Sequence, residues 1–258
     1  DEESFNIVAF SSEVRPLFDG PRRAGDEARR EARAFIETLR AAGGTNIRDA
    51  LVTALSAEAP DDALGVVLFL TDGLPTVGVT SEAQIKRDAL STNDAARVFS
   101  FGVGDDVNVA LLNGVSQATR GIASFVRPGE SVEVAVTEVE GRLRGPRLTS
   151  LELSGRGGEV YQVMPSPTPD LFRDDQIVLA GTYRGEGPIS LRLRAEANGE
   201  PVEIDLGTIV PSAATVRDGF VARLWAQRRI ASLTEEIRQG TAEDGSDIGE
   251  RFGEQIDE

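Results

Sequence analysis

Apolar and polar positions along the 258 residues fall into two regimes. Up to about Arg144, short apolar runs alternate with stretches in which apolar residues recur every three or four positions, the signals of strands and of amphipathic helices. Ser4 to Phe10 reads as a first strand and Val14 to Phe18 as a short edge strand closed by Asp19-Gly20-Pro21. From Gly25 to Ala42, the residues Ala28, Ala32, Phe35, Ile36 and Leu39 sit at helical spacing, and Gly43-Gly44 stop that helix. Thr45 opens the next one, with Ile47, Leu51, Ala54 and Leu55 as its apolar stripe up to Pro60. Val66 to Thr71 are six consecutive apolar or β-branched residues between Gly65 and Asp72-Gly73. Such a run predicts a strand buried on both faces, in the middle of a mostly parallel sheet. After it comes a helix capped by Ser81 and running to about Asp88. A strand from Arg97 to Val103, a helix from Val109 to Arg120, a strand from Ile122 to Val126 and a helix from Val132 to Leu143 complete the alternation. The order predicts an α/β fold with a doubly wound, mostly parallel sheet.

Beyond Arg147 the runs shorten and alternate. Leu148 to Leu153, Glu159 to Val163, Gln176 to Tyr183, Pro188 to Ala195 and Val202 to Leu206 are separated by Gly, Pro and Asn clusters, which predicts a small antiparallel sheet or sandwich. Thr215 to Arg238 returns to helical periodicity. The chain therefore divides into an α/β domain over 1–145, a small β-sandwich over 146–212, a C-terminal helix over 213–239 and an acidic tail over 240–258 whose composition predicts disorder.

Composition narrows the chemistry. The sequence contains no cysteine and no histidine. Disulfides, thiol catalysis and zinc-thiolate sites are excluded, and the usual general base and most transition-metal sites go with them. A metal here has to be held by oxygen, which points to Mg²⁺, Mn²⁺ or Ca²⁺. The formal net charge of −16 argues against nucleic acid or an anionic membrane surface as partner. Lys86 is the sole lysine, a bias that fits GC-rich codon usage. No run is long and apolar enough to insert directly into a membrane. The chain starts at Asp1, so an upstream export signal is compatible with it.

Two tetrapeptides carry the candidate chemistry, Gly43 to Asn46 (Gly-Gly-Thr-Asn) and Leu70 to Gly73 (Leu-Thr-Asp-Gly). Asp72 comes after a parallel strand, and in open α/β sheets ligands sit beyond the carboxyl ends of the strands. Thr45 lies at a helix start at the same end of the sheet. A hydroxyl and a carboxylate brought together there form part of an octahedral site for a hard cation, with water and one acidic group from an outside ligand to complete it. Taken singly, Gly-Gly-Thr is an ordinary helix cap and Asp-Gly an ordinary turn. Other groups carry less. Asp61-Asp62 and Asp105-Asp106 read as solvated turns, and Asp170, Asp174 and Asp175 do not meet calcium-loop spacing. Ser11 and Ser12 lack a histidine base. Arg223, Arg228 and Arg229, around Trp225, read as a solvated helix face or, less simply, a docking surface for an acidic partner.

Phe-Asn-Ile-Val-Ala-Phe-Ser-Ser, Gly-Gly-Thr-Asn-Ile-Arg-Asp-Ala-Leu, Leu-Thr-Asp-Gly-Leu-Pro-Thr-Val-Gly and Val-Phe-Ser-Phe-Gly-Val-Gly, spread from Phe5 to about Leu143, resemble a von Willebrand factor type A domain of the inter-α-trypsin inhibitor heavy-chain branch. Arg147 to Leu233 is similar to the region C-terminal to that domain in bacterial relatives. The resemblance implies a divalent-metal adhesion site built from an Asp-x-Ser-x-Ser loop after a central first strand, a threonine and an aspartate. Thr45 matches the threonine and Asp72 the aspartate, while Asp-x-Ser-x-Ser is absent from this sequence. By resemblance, the central strand and its helix lie upstream, beside an N-terminal vault/inter-α-trypsin domain. Phe5 to Phe10 and Val66 to Leu70 would then flank a gap roughly 5 Å wide. What the resemblance implies is a non-enzymatic protein-binding or adhesion module in an extracytoplasmic, periplasmic or cell-surface setting. Its cofactor is Mg²⁺ (or Mn²⁺/Ca²⁺), held weakly here. Its partners are a protein ligand offering an acidic side chain and the N-terminal part of the same protein. The alternative is a structural or interaction domain with a vestigial metal site.

Overall fold

The computed structural model describes residues 3–57, 63–93, 95–143, 148–172, 175–185, 187–197, 199–209 and 219–241. The chain forms two compact units, Asp1–Ala135 and Val136–Glu258. The expected acidic tail beyond Thr241, Asp61-Asp62 and Asp174 lie outside the described residues; Gly240 and Thr241 end a helix instead.

The first unit opens with two short antiparallel ribbons. β1 (Ser4–Phe5) pairs with β4 (Arg22–Arg23), and β2 (Val8–Phe10) pairs with β3 (Val14–Pro16). The single strand expected over Ser4 to Phe10 is thus broken, and Asn6 breaks it. Its Nδ2 donates to the Phe18 carbonyl at 2.9 Å, and its Oδ1 accepts from the amides of Phe18 at 3.1 Å and Ile7 at 2.8 Å. A carboxamide that imitates the backbone in this way diverts the chain from a continuous ladder. Helix α1 (Asp26–Thr38) ends in an extended Leu39, before the Gly43-Gly44 stop expected of it. Helix α2 (Ile47–Leu55) is capped by Asn46, whose side chain accepts from the Asp49 amide; Thr45 precedes the cap instead of opening the helix.

The central sheet is parallel in the order β5 (Val66–Thr71), β6 (Arg97–Val103) and β7 (Ala123–Val126). Between its strands run α3 (Glu82–Thr92) and α4 (Val109–Ala118), and α5 (Val132–Leu143) comes after β7. One face of the sheet packs on α2, α3 and α4: Phe69 and Val98 meet Ile47, Leu51, Leu55, Ile85, Leu112 and Val115. Helix α4 clings to β6. Ser116 Oγ donates to Ser100 Oγ at 2.8 Å, Thr119 Oγ1 accepts from the Val98 amide at 3.1 Å, and a methyl group on Gly121 would collide with the Val98 carbonyl. The opposite face differs from expectation at β5. Leu68 and Leu70 are 44% and 43% exposed, although their register partners Phe99 and Phe101 are fully buried. Among the described residues β5 pairs only with β6 and β2 only with β3, so β5 is an edge strand, and a side chain at an edge lacks neighbours on one flank.

In the second unit β8 (Leu148–Arg156), β11 (Ile189–Ala197) and β12 (Glu200–Ile209) form an antiparallel sheet in the order β12-β11-β8. β9 (Glu159–Met164) pairs with β10 (Ala180–Arg184) in a second. Leu151, Leu193 and Ala195 are the buried core of the three-stranded sheet. The strand expected from Gln176 is regular only from Ala180, where β9 and β10 slip register. Helix α6 (Gly219–Thr241) anchors to this ribbon. Trp225 Nε1 donates to the Gln162 carbonyl at 2.9 Å, and the Arg228 guanidinium donates to the carbonyls of Val178 and Met164. Gln162 takes a positive φ of 49°, unusual for a side-chain-bearing residue, at the carbonyl that receives the indole. Arg228 is therefore a docking side chain of its own unit rather than part of a solvated face.

Candidate metal-binding site

Three loops converge at the carboxyl end of β5: the Ser11-Ser12 turn after β2, the Gly43 to Asn46 segment before α2, and the segment from Asp72 to Gly78. Three successive amides of the middle segment are each held from outside it. Gly44 N–H donates to Ser12 Oγ at 2.8 Å, Thr45 N–H to Thr76 Oγ1 at 2.8 Å, and Asn46 N–H to the Ser11 carbonyl at 2.9 Å. In return the Thr45 carbonyl accepts from the amides of Thr76 at 3.0 Å and Val77 at 3.3 Å. This contact depends on Gly44: a methyl group there would stand 2.5 Å from Val77 Cγ2 and 2.8 Å from Thr76 Oγ1. Gly43 takes φ +80°, the left-handed region open to glycine.

In this frame Thr45 comes up against the turn that carries Asp72. A methyl group on Gly73 would lie 3.5 Å from Thr45 Oγ1, so the hydroxyl stands beside the Asp72-Gly73 turn. Thr45 is half-buried and Asp72 exposed, so the pair faces solvent. Both donors are hard oxygens, a set that fits Mg²⁺, Mn²⁺ or Ca²⁺ and no thiophilic ion. Among the described residues no group of three or more acidic side chains gathers as a cage. Two protein oxygens leave most of an octahedral shell to water and to an outside ligand.

The neighbouring carboxylates are engaged elsewhere. Arg48 Nε donates to Asp88 Oδ2 at 2.7 Å and Arg48 Nη1 to Asp49 Oδ1 at 2.9 Å. Asn46 Nδ2 donates to Asp49 Oδ2 and Gln84 Nε2 to Asp88 Oδ1. The hydrogen bond from Arg48 holds the Asp49 carboxyl below the ordinary carboxylate range, with Asn46 adding to it. Arg48 does the same to Asp88, against a smaller opposing effect of burial. These groups tie α2 to α3.

Thr45 and Asp72 are candidates from the sequence, whereas the residues that hold the Thr45 segment are visible only in the structure. In the sequence Ser12 is a serine without a catalytic base and Thr76 a threonine after Leu-Pro that reads as part of a turn; both fall inside the family-like stretches, but nothing local marks either as a partner of residues 43–46. Asp105 and Asp106 sit exposed in the turn after β6.

Residues 1–125 match the family model of the von Willebrand factor type A domain. Over these residues the chain is similar to a von Willebrand factor type A domain. Over 91% of its length it is 25% identical to inter-alpha-trypsin inhibitor heavy chain H4 of Bos taurus, of which it covers 28%. The chain thus spans less than a third of that curated relative, and the similarity runs past the A domain into the second unit. Among solved structures, a von Willebrand factor type A protein from Catenulispora acidiphila matches with a TM-score of 0.60 at 18% identity, covering 81% of this chain and 58% of that one. The ArnB paralog VWA2 from Sulfolobus acidocaldarius matches with a TM-score of 0.52 at 20% identity, covering 90% and 65%. At these identities the structural likeness is one of fold. The A-domain-like residues supply the convergent loops, and the likeness as a whole supports a protein-interaction module.

Proposed function

We propose that this chain is a non-enzymatic, cation-dependent protein-binding module, in which Thr45 and Asp72 hold Mg²⁺, or Mn²⁺ or Ca²⁺ in its place, weakly and with a largely hydrated shell. The observation that carries this reading is the Thr45 hydroxyl beside the Asp72-Gly73 turn, at a solvent-facing rim whose candidate donors are oxygens alone. A bound cation would offer its positive charge to one acidic side chain of a partner protein. The amides of Gly44, Thr45 and Asn46 are already committed to the neighbouring loops, so backbone donors there do not compete for that anionic group. Location outside the cytoplasm rests on the heavy-chain likeness; among the described residues no helix is long and apolar enough to cross a membrane.

A second reading, an interaction domain whose metal site is vestigial, is favoured by the lack, among the described residues, of any cluster of three acidic side chains and by the outer edge of β5, unpaired among those residues. With Leu68 and Leu70 exposed beside it, that edge suits an extended segment from the N-terminal part of the same protein.

A thermal melt in EDTA and then in millimolar Mg²⁺ or Mn²⁺, beside Asp72→Ala, separates the two. A cation-dependent rise in melting temperature that Asp72→Ala abolishes is expected from the first reading. No shift in a chain that melts cooperatively overturns it and leaves the second.

A further inference from the structure

The cation reading uses the Thr45 side chain, yet nothing within residues 43–46 fixes where that side chain points. The segment precedes the Asn46 cap, outside any helix or strand, and Gly43 and Gly44 lend it no stiffness of their own. Its conformation comes from the other two loops. Thr76 grips the Thr45 residue on both sides, with Oγ1 taking its N–H at 2.8 Å and the Thr76 N–H reaching its carbonyl at 3.0 Å. Ser12 Oγ takes the preceding amide, that of Gly44, at 2.8 Å. With both peptide groups of a residue fixed, its Cα–Cβ direction is fixed, and here it sets Oγ1 beside Gly73.

We propose that Thr76, seconded by Ser12, is a positioning residue of the cation site: its hydroxyl orients the Thr45 peptide so that Thr45 Oγ1 and Asp72 face one ion. The proposal rests on the reading that Thr45 and Asp72 hold a cation. Thr76 also lies on the chain segment that carries Asp72, so one hydrogen bond sets the register between the two candidate ligands. A hydroxyl is required because only an acceptor can take the Thr45 N–H, and valine, of the same shape, cannot.

Mn²⁺ titration of the whole chain, followed by water-proton relaxation, tests this with wild type, Thr76→Val, Thr76→Ser, Ser12→Ala and Asp72→Ala. Hydrogen exchange at the Thr45 amide and the melting temperature are measured without metal. Thr76→Val is expected to weaken Mn²⁺ binding about ten-fold and to speed Thr45 exchange by a similar factor, while Thr76→Ser stays within about two-fold of wild type. The Val and Ser variants should melt within about 3 °C of each other without metal, which separates orientation from general stability. Ser12→Ala removes the acceptor of the adjacent amide and should weaken binding about three-fold, so the proposal stays testable if Thr76→Val melts without cooperativity. Wild-type affinity in both Thr76→Val and Ser12→Ala overturns the proposal and leaves the Thr45–Asp72 site standing. Equal loss in Thr76→Ser and Thr76→Val also overturns it, since serine keeps the hydroxyl. Absence of saturable binding in wild type, matching Asp72→Ala, overturns both the proposal and the site.

Discussion

β5 and β6 are neighbours in one parallel sheet, Val-Val-Leu-Phe-Leu-Thr beside Arg-Val-Phe-Ser-Phe-Gly-Val, and β5 is the more continuously apolar of the two. Their inward faces behave alike, with Phe69 and Val98 packed on α2, α3 and α4. Their other faces do not. Leu68 and Leu70 leave more than two fifths of their surface in water, while Phe99 and Phe101, opposite them in register, leave none. β6 has a strand on each side and a helix pinned to it through Ser100, Thr119 and the bare backbone of Gly121. β5 has one partner strand among the described residues. Burial of an apolar run is thus decided by what lies beside it, and the more apolar strand of the two ends with the wetter face.

The comparison breaks most readily at the aromatic positions. Phe101→Ala should cost about 4 kcal/mol in chemical denaturation and Leu70→Ala about 1 kcal/mol, because the leucine gives up only its partly buried area. Equal losses would mean that β5 is as much a core strand as β6. Next in size is Gly121→Ala. The added methyl meets the Val98 carbonyl, so β6 or the start of β7 has to shift, at about 2 kcal/mol, read as a lowered denaturation midpoint with unchanged slope.

The smallest effect sharpens the comparison on the shared face, where α2 and α3 cover β5. The Arg48 hydrogen bond depresses the Asp88 carboxyl from its ordinary value of 3.8. A carboxyl depressed in the folded state contributes stability above the unfolded value and loses it as pH falls through the folded one. The Arg48–Asp88 contribution is therefore intact at neutral pH and fades below about pH 4. Asp88→Asn should cost about 0.5 kcal/mol at pH 7, discounted for a guanidinium one third exposed, with the difference from wild type vanishing in acid. Amide exchange in β5 should quicken more than in β6. A difference that persists unchanged at low pH would show that the pairing contributes no charge-dependent stability.

Much of the fold is legible in the residues. The bounds of β5 and β6 agree with the runs that predict them, and so do the parallel sheet, the antiparallel strands after Arg147 and a C-terminal helix. The candidate pair Thr45 and Asp72 is legible too, since a chain without histidine or cysteine restricts a metal to oxygen, and the ends of parallel strands are where ligands collect. Asn6 within an apolar run gave no warning of the break between β1 and β2, because its three hydrogen bonds depend on Ile7 and on Phe18, twelve residues on. Arg228 looked like surface charge because its acceptors, the carbonyls of Met164 and Val178, lie 64 and 50 residues away in the chain.

By itself the sequence determined the periodicities, and through them which segments become strands and helices, because spacing along a chain is a local property that a 2.0- or 3.6-residue repeat reads directly. It also determined the kind of ion a site here can hold, since donor chemistry is a matter of composition. The tertiary structure alone decided that β5 would carry a wet face and that Ser12 and Thr76 would hold Thr45 beside Gly73. The first outcome depends on whether a neighbouring strand is present, and the second on hydrogen bonds between residues 31 and 32 positions apart. Hydrophobic pattern carries no record of either, because it registers only neighbours along the chain.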